Sequence, residues 1–153
     1  MPQITGILLV LKTGTIEGAS SDGDAYLGLC GREFWIDSKN EDLNAGQSHT
    51  YKFGDANDGT SPAEFNDPRE QMLMTENFDR FPAYIRFVPR DRGDNWQLQS
   101  ALVYINNSRF ASYGTPYVPD VRGKGIVMGI RCGQVTHLQR LGLETIVQMT
   151  AHL

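Results

Sequence analysis

Ala25-Tyr26-Leu27-Gly28-Leu29-Cys30-Gly31-Arg32-Glu33-Phe34-Trp35-Ile36 is the stretch that decides the fold. Ala25, Leu27 and Leu29 fall on one side of an extended chain, with Tyr26, Gly28 and Cys30 on the other. That two-residue period belongs to a half-buried strand. Gly31-Arg32 offers a tight turn, and Phe34 and Ile36 resume the alternation. The stretch therefore predicts a β-hairpin with strands over 25–30 and 33–36.

Working outward, Ile7-Leu8-Leu9-Val10-Leu11 sits inside a strand expected over 4–13, continuous enough to suggest burial on both faces. His49, Tyr51 and Phe53 alternate with Thr50 and Lys52. Pro82 opens the apolar run 84–88. Trp96, Leu98, Ser100, Leu102 and Tyr104 are expected on one face of a long strand, with Asn106-Asn107 as its hairpin tip. Ile126, Met128, Ile130 and Cys132 suggest another strand, and Leu143 to Met149 a last one. A short helix fits somewhere in 60–80 or 135–150. Gly/Pro/Asp/Asn-rich turns separate the segments. Short strands in close succession predict an all-β fold, an antiparallel sandwich or barrel.

The 153 residues, 40% hydrophobic and 21% charged, suit one ordinary globular domain over 1–153. A net charge of −4 disfavours a nucleic-acid partner. No apolar run approaches the ~20 residues of a membrane-spanning helix. The expected setting is cytoplasmic, or secreted as a mature form. Cys30 and Cys132 are too few for a disulfide framework and read as two small buried hydrophobes, although they could pair. His49, His137 and His152 have no metal-ligand spacing, and no nucleophile elbow, zinc-protease or phosphate-loop motif occurs. A noncatalytic chain is expected.

The hairpin at 25–36 brings two polar loops, 14–24 and 37–46, to one end. Asp22, Asp24, Asp37, Glu41 and Asp42 then share a rim. Two readings stand: solvated acidic turns, or a rim that holds a cation, since crowded carboxylates repel without one.

Several blocks resemble the PLAT/LH2 family. They are Lys12-Thr13-Gly14, Gly18-Ala19-Ser20-Ser21-Asp22 and Ala25-Tyr26-Leu27, then Phe34-Trp35-Ile36-Asp37 with Asn40-Glu41-Asp42 and Thr50-Tyr51-Lys52-Phe53, and later Trp96-Gln97-Leu98. Within the family the likeness is nearest to the membrane-binding C-terminal domain of clostridial alpha-toxin. It is best over 8–54, weaker over 82–112 and lost after about 115. The core resemblance is placed at 4–113, and 114–153 is a C-terminal extension expected to add strands. The resemblance implies a β-sandwich of about eight strands that binds a membrane lipid surface or a protein partner, often with calcium. Carried over by position, it implies calcium ligation by Ser21, Asp22, Asp37, Ser38, Asn40 and Asp42. A third acidic loop is left among Asp79, Asp91 and Asp94. Ser20 stands where the family has Gly.

Trp35, Tyr113 and Tyr117 are the aromatics that could meet a ligand, either lipid or, in a carbohydrate-binding sandwich, a stacked sugar. Each is alternatively a packing residue. A further alternative is an assembly protein that oligomerises through its C-terminal strands. Arg80, Arg86, Arg90 and Arg92 alternate with Asp79, Asp91 and Asp94, which reads as a mixed solvated surface.

Overall fold

A computed structural model describes residues 3–37, 43–55, 57, 66–70, 73–114 and 125–141. Within these the chain is almost entirely β-structure. The strands are β1 (Gly6–Thr13), β2 (Asp24–Leu29), β3 (Arg32–Ile36), β4 (Ser48–Gly54), β5 (Tyr84–Val88), β6 (Trp96–Ile105), β7 (Ser108–Tyr113), β8 (Ile126–Met128), β9 (Val135–His137) and β10 (Gln139–Arg140). One sheet runs β10-β7-β6-β1-β4, with β8 also paired to β6; the other runs β3-β2-β5-β9. Every strand pairing is antiparallel. A 3-10 turn at Thr75–Asp79 falls where one of the short helices was expected.

The core lies between the sheets. Ile7 and Leu9 of β1, Leu27 of β2, Phe34 of β3, Tyr51 and Phe53 of β4, Ile85 and Phe87 of β5, and Trp96 and Leu98 of β6 are all fully buried. Two expectations about faces need correction. In β1, Leu8 and Val10 are only half-buried. The strand is central but buried on one face, because among the described residues no second sheet covers the other. In β6 the core face switches: Trp96 and Leu98 are buried, then Ala101, Val103 and Ile105, while Ser100, Leu102 and Tyr104 are half-buried. Lys12 pairs with Ser100 and Thr13 with Leu98, so Gln99 is an extra residue opposite β1. One inserted residue exchanges the two faces of a strand beyond it.

The hairpin at 24–36 turns at Cys30-Gly31, one residue earlier than expected, with φ of 54° and 81°. Two left-handed residues are what a tight, twist-matched hairpin requires. Asn106 and Asn107 form the expected tip between β6 and β7 the same way, with φ of 48° and 69°. Asn106 also closes this end of the molecule. Its Oδ1 accepts from Thr5 N (2.9 Å), Gly6 N (3.2 Å) and Thr5 Oγ1 (3.1 Å), and its Nδ2 donates to Gln3 O (2.9 Å).

β3 lies at the edge of its sheet, where unpaired backbone invites another strand. Asn66 occupies that edge: its Oδ1 accepts from Trp35 N (2.9 Å) and its Nδ2 donates to Trp35 O (3.0 Å). Arg32 fastens the same segment through Asp67 O and Glu70 O.

The C-terminal segment adds strands to both sheets. β8 pairs with the first residues of β6, β9 pairs with β5, and β10 with β7. The chain thus crosses between sheets twice, at 129–134 and at the buried Leu138. Ile130 and Cys132, expected within a strand, instead lie exposed in the 129–133 turn, whose ends are joined by the bridge between Gly129 and Gly133. Residues 135–140 are strand, not helix; the strand expected over 143–149 lies outside the described residues. Cys30 is buried and Cys132 exposed, and both are free thiols. Burial pushes the Cys30 thiol up to about 11, so it stays protonated and unreactive at neutral pH.

Candidate functional site

The strand directions bring parts of four connections to one end of the sandwich: 14–23 after β1, Asp37 after β3 with 43–47 before β4, 89–95 before β6, and 129–134 between β8 and β9. The first two are joined as the hairpin reading expects. Ser21 N donates to Leu43 O (3.1 Å), Ala45 N to Ser20 Oγ (2.8 Å), and Gly46 N to Thr13 O (3.1 Å).

The third connection is fastened to the first through Asp94. Its Oδ2 accepts from Ser21 Oγ (2.9 Å) and from Arg90 N (2.7 Å), while Ser21 Oγ accepts from Gly23 N (2.8 Å). Between these loops opens a cleft of ≈ 440 Å³ lined by Ser20, Ser21, Asp22, Arg90, Asp91 and Asp94. Asp22 faces Arg90 across the mouth at 3.6 Å, with both side chains largely in solvent. Such an exposed pair contributes little to stability, but it sets the charge of the rim.

Of the residues expected to ligate a cation, Ser21 and Asp22 line this cleft. Asp37 follows β3 outside the lining, and Ser38, Asn40 and Asp42 lie outside the described residues. Of the three candidates for a further acid, Asp91 and Asp94 are at the cleft. Asp79 is instead ion-paired with Arg140, whose guanidinium stacks over Phe78 and Phe110, on the far side of the fold. Sequence reading missed Arg90 as the rim's own cation. The only signal was its place in a charged turn, which does not specify a partner.

Carboxylate and hydroxyl oxygens are the donors a hard cation such as calcium takes. The cleft supplies them in kind from Ser21, Asp22, Asp91 and Asp94. Among the described residues, however, no three acidic, His or Cys side chains converge as a ready-made ligand set. The donors are also engaged: Asp94 with Ser21 and Arg90 N, Asp91 with Gly93 N, Asp22 with Arg90.

A second cluster covers the outer face of the β3-β2-β5-β9 sheet. Arg86 holds Glu33 through two bonds (2.7 and 2.9 Å), and Tyr84 Oη donates to the same carboxylate (2.9 Å). Arg86 also stacks over Tyr26 at 4.4 Å. Tyr84 lies flat across β2 because Gly28 is beneath it; a β-carbon there would overlap the ring. Beside them Trp35 is 39% exposed, its Nε1 pointing to Asp24 Oδ1 at 3.4 Å. Trp35 is therefore a surface aromatic. Tyr113 is half-buried against the core, and Tyr117 lies outside the described residues.

The Arg86 hydrogen bond holds Glu33 below the usual carboxylate range, against a smaller opposing push from burial and with help from Tyr84. A lowered carboxylate contributes stability above its unfolded value of about 4.3, and loses it as pH falls through the folded value. With both side chains about one-third exposed, screening limits the contribution to roughly 1 kcal/mol or less. Glu33→Gln is expected to be less stable than the parent at neutral pH, with the gap closing below about pH 4. Urea unfolding across a pH series checks this; a gap that widens in acid would refute the assignment.

No family model matches the sequence, and no curated protein matches it. Solved structures do. The alpha toxin of Clostridium absonum superposes with a TM-score of 0.54 at 16% identity, covering 90% of this chain and 32% of the toxin chain. An alpha-toxin of Clostridium perfringens from an avian strain gives 0.57 at 14% identity with the same coverage. The fold is a PLAT-type β-sandwich. At these identities the likeness establishes fold alone, and the chain spans about a third of either toxin's length.

Proposed function

We propose that this chain is a noncatalytic binding module that attaches to a membrane lipid surface through the loop end of its sandwich, with calcium assisting. The observation that carries the reading is that Ser21, Asp22, Asp91 and Asp94 line one open cleft between loops tied to one another. A calcium ion there would draw on those oxygens and on the second loop's Asp37, Ser38, Asn40 and Asp42. When bound it would neutralise the rim, where Asp22, Asp91 and Asp94 outnumber Arg90, and so admit anionic headgroups. Ser21 bonds to a carboxylate and, among the described residues, no histidine lines the cleft, an arrangement that favours holding a ligand over activating a nucleophile.

Thermal unfolding tests the calcium component. A ligand that binds only the folded chain at ~100 times its Kd adds about 2.7 kcal/mol. The expected result is a Tm rise of roughly 5–11 °C in CaCl₂ over chelator, absent with MgCl₂. Asp22→Asn and Asp37→Asn should each weaken calcium at least ~10-fold. Identical melting curves with and without calcium would remove the metal from the proposal. Sedimentation with anionic vesicles then tests the lipid component separately.

A second reading has one observation in its favour. The exposed Trp35, held beside Tyr26 and the Glu33–Arg86 pair, is a surface on which a sugar ring could stack. Binding on a glycan array that Trp35→Ala abolishes would support it.

A further inference from the structure

Resting on the lipid-surface reading, we infer that the 129–133 turn is a docking tip of its own, entering the lipid interface with Ile130 while Arg131 meets anionic headgroups. The turn belongs to the C-terminal strands, beyond the part of the sequence that resembles PLAT/LH2. It reaches the loop end because β8 runs antiparallel along the first residues of β6, placing Met128 against Trp96 and the turn beyond it.

Contact with the cleft loops is direct. A β-carbon at Gly129 would overlap the Asn95 side chain and approach Asp94 O at 3.3 Å. Ile130 is 50% exposed at this end, the highest value among the large hydrophobic side chains described. Ile16, 46% exposed, stands on the 14–23 loop and is fixed there by a bond from its N–H to Gln97 Oε1 (3.2 Å). Gln97 itself pairs with Val127 of β8, so the 14–23 loop and the strand that carries the turn meet the same β6 residue.

The turn is pre-shaped. Gly129 N donates to Gly133 O (2.9 Å), Gln134 O accepts from Phe87 N (2.8 Å), and Gln134 Nε2 donates to Phe87 O (3.2 Å). A rigid support of this kind presents an aliphatic tip without an ordering cost on contact.

The chemistry of the end selects the partner. Exposed aliphatics lie among exposed arginines, Arg90, Arg92 and Arg131. Aliphatic side chains favour the acyl boundary, and arginines favour anionic headgroups. The exposed aliphatics at the turn continue onto its flanking strands through Ile126 and Val135, which adds apolar surface for the acyl boundary. The acids of the cleft oppose an anionic surface, so the isoleucines supply the part of attachment that salt does not screen.

Cys132 provides the probe. It is exposed while Cys30 is buried, so a thiol-reactive, environment-sensitive dye labels the turn selectively. The full chain is mixed, with and without calcium, with vesicles of phosphatidylcholine containing phosphatidylserine, and binding is read in parallel by sedimentation. The expected result is a blue-shifted, brighter dye on bound protein. Ile130→Asp should lower vesicle partitioning at least ~10-fold at high salt, and Arg131→Glu ~5-fold or more at low salt, with unchanged unfolding curves. Sedimentation with vesicles, together with an unshifted dye and full binding by Ile130→Asp, would overturn the docking tip and leave the lipid reading standing. No sedimentation under any condition would overturn both.

Discussion

Trp96→Ala should lower the unfolding free energy by about 3–5 kcal/mol, the range for removing a fully buried large aromatic. Trp96 has no exposed surface, packs against Phe87 at 5.7 Å between centroids, and donates from Nε1 to Thr13 Oγ1 (2.9 Å). The truncation leaves a cavity between the sheets and strands a buried hydroxyl at the bulge where β1 meets β6. Against a total of about 5–15 kcal/mol this is a large fraction. The corresponding fall in Tm is roughly 6–20 °C. Trp96→Phe separates the two contributions, since it keeps most of the ring and loses only the donor. Urea unfolding at constant m-value measures both. A cost under about 1 kcal/mol for Trp96→Ala would contradict the buried position.

Asn106→Ala should cost about 2–4 kcal/mol, from two sources. Three donors, Thr5 N, Gly6 N and Thr5 Oγ1, lose their shared acceptor, and Gln3 O loses a donor. Alanine must also hold a φ of 48°, in the left-handed region that asparagine and glycine tolerate. Asn106→Gly loses the same bonds without the strain and should therefore be milder by about 1 kcal/mol. Equal costs for the two variants would show that backbone strain contributes nothing. Asn106-Asn107-Ser108 also has the form of a glycosylation sequon, but its acceptor nitrogen is already spent on Gln3 O.

The hairpin at 25–36 and the tip at Asn106-Asn107 were legible because their information is local. Alternation with period two reports which face is buried, and left-handed turn residues report where the chain reverses. The reading of β6 failed at Gln99 for a physical reason. A bulge is a property of a pairing, here with Lys12 and Thr13, and nothing in Trp96-Gln97-Leu98-Gln99-Ser100 shows it. The C-terminal strands failed likewise. Ile130 and Cys132 continue an alternating pattern, but the turn is imposed by the bridge between Gly129 and Gly133 and by the crossing to β5.

The candidate site divides the same way. Ser21 and Asp22 were readable as one loop's acids and hydroxyls, and the hairpin placed the second loop beside them. The choice of Asp94 and Asp91 over Asp79 was not readable. Ser21 and Asp94 are 73 positions apart, and only the ending of β5 and the beginning of β6 at the end where β1 stops bring them within 2.9 Å.

By itself, then, the sequence determined an antiparallel all-β fold and its principal hairpins, because burial periodicity and turn stereochemistry act over a few residues; the PLAT/LH2 resemblance chose the sandwich over the barrel, and of the five acids expected on one rim Asp22 lines the cleft. The tertiary structure alone decided where strand faces exchange, which acids share the cleft, that Arg90 sits among them, and that Ile130 stands at the loop end. Each depends on long-range pairing, whose free energy comes from closing distant segments onto one core.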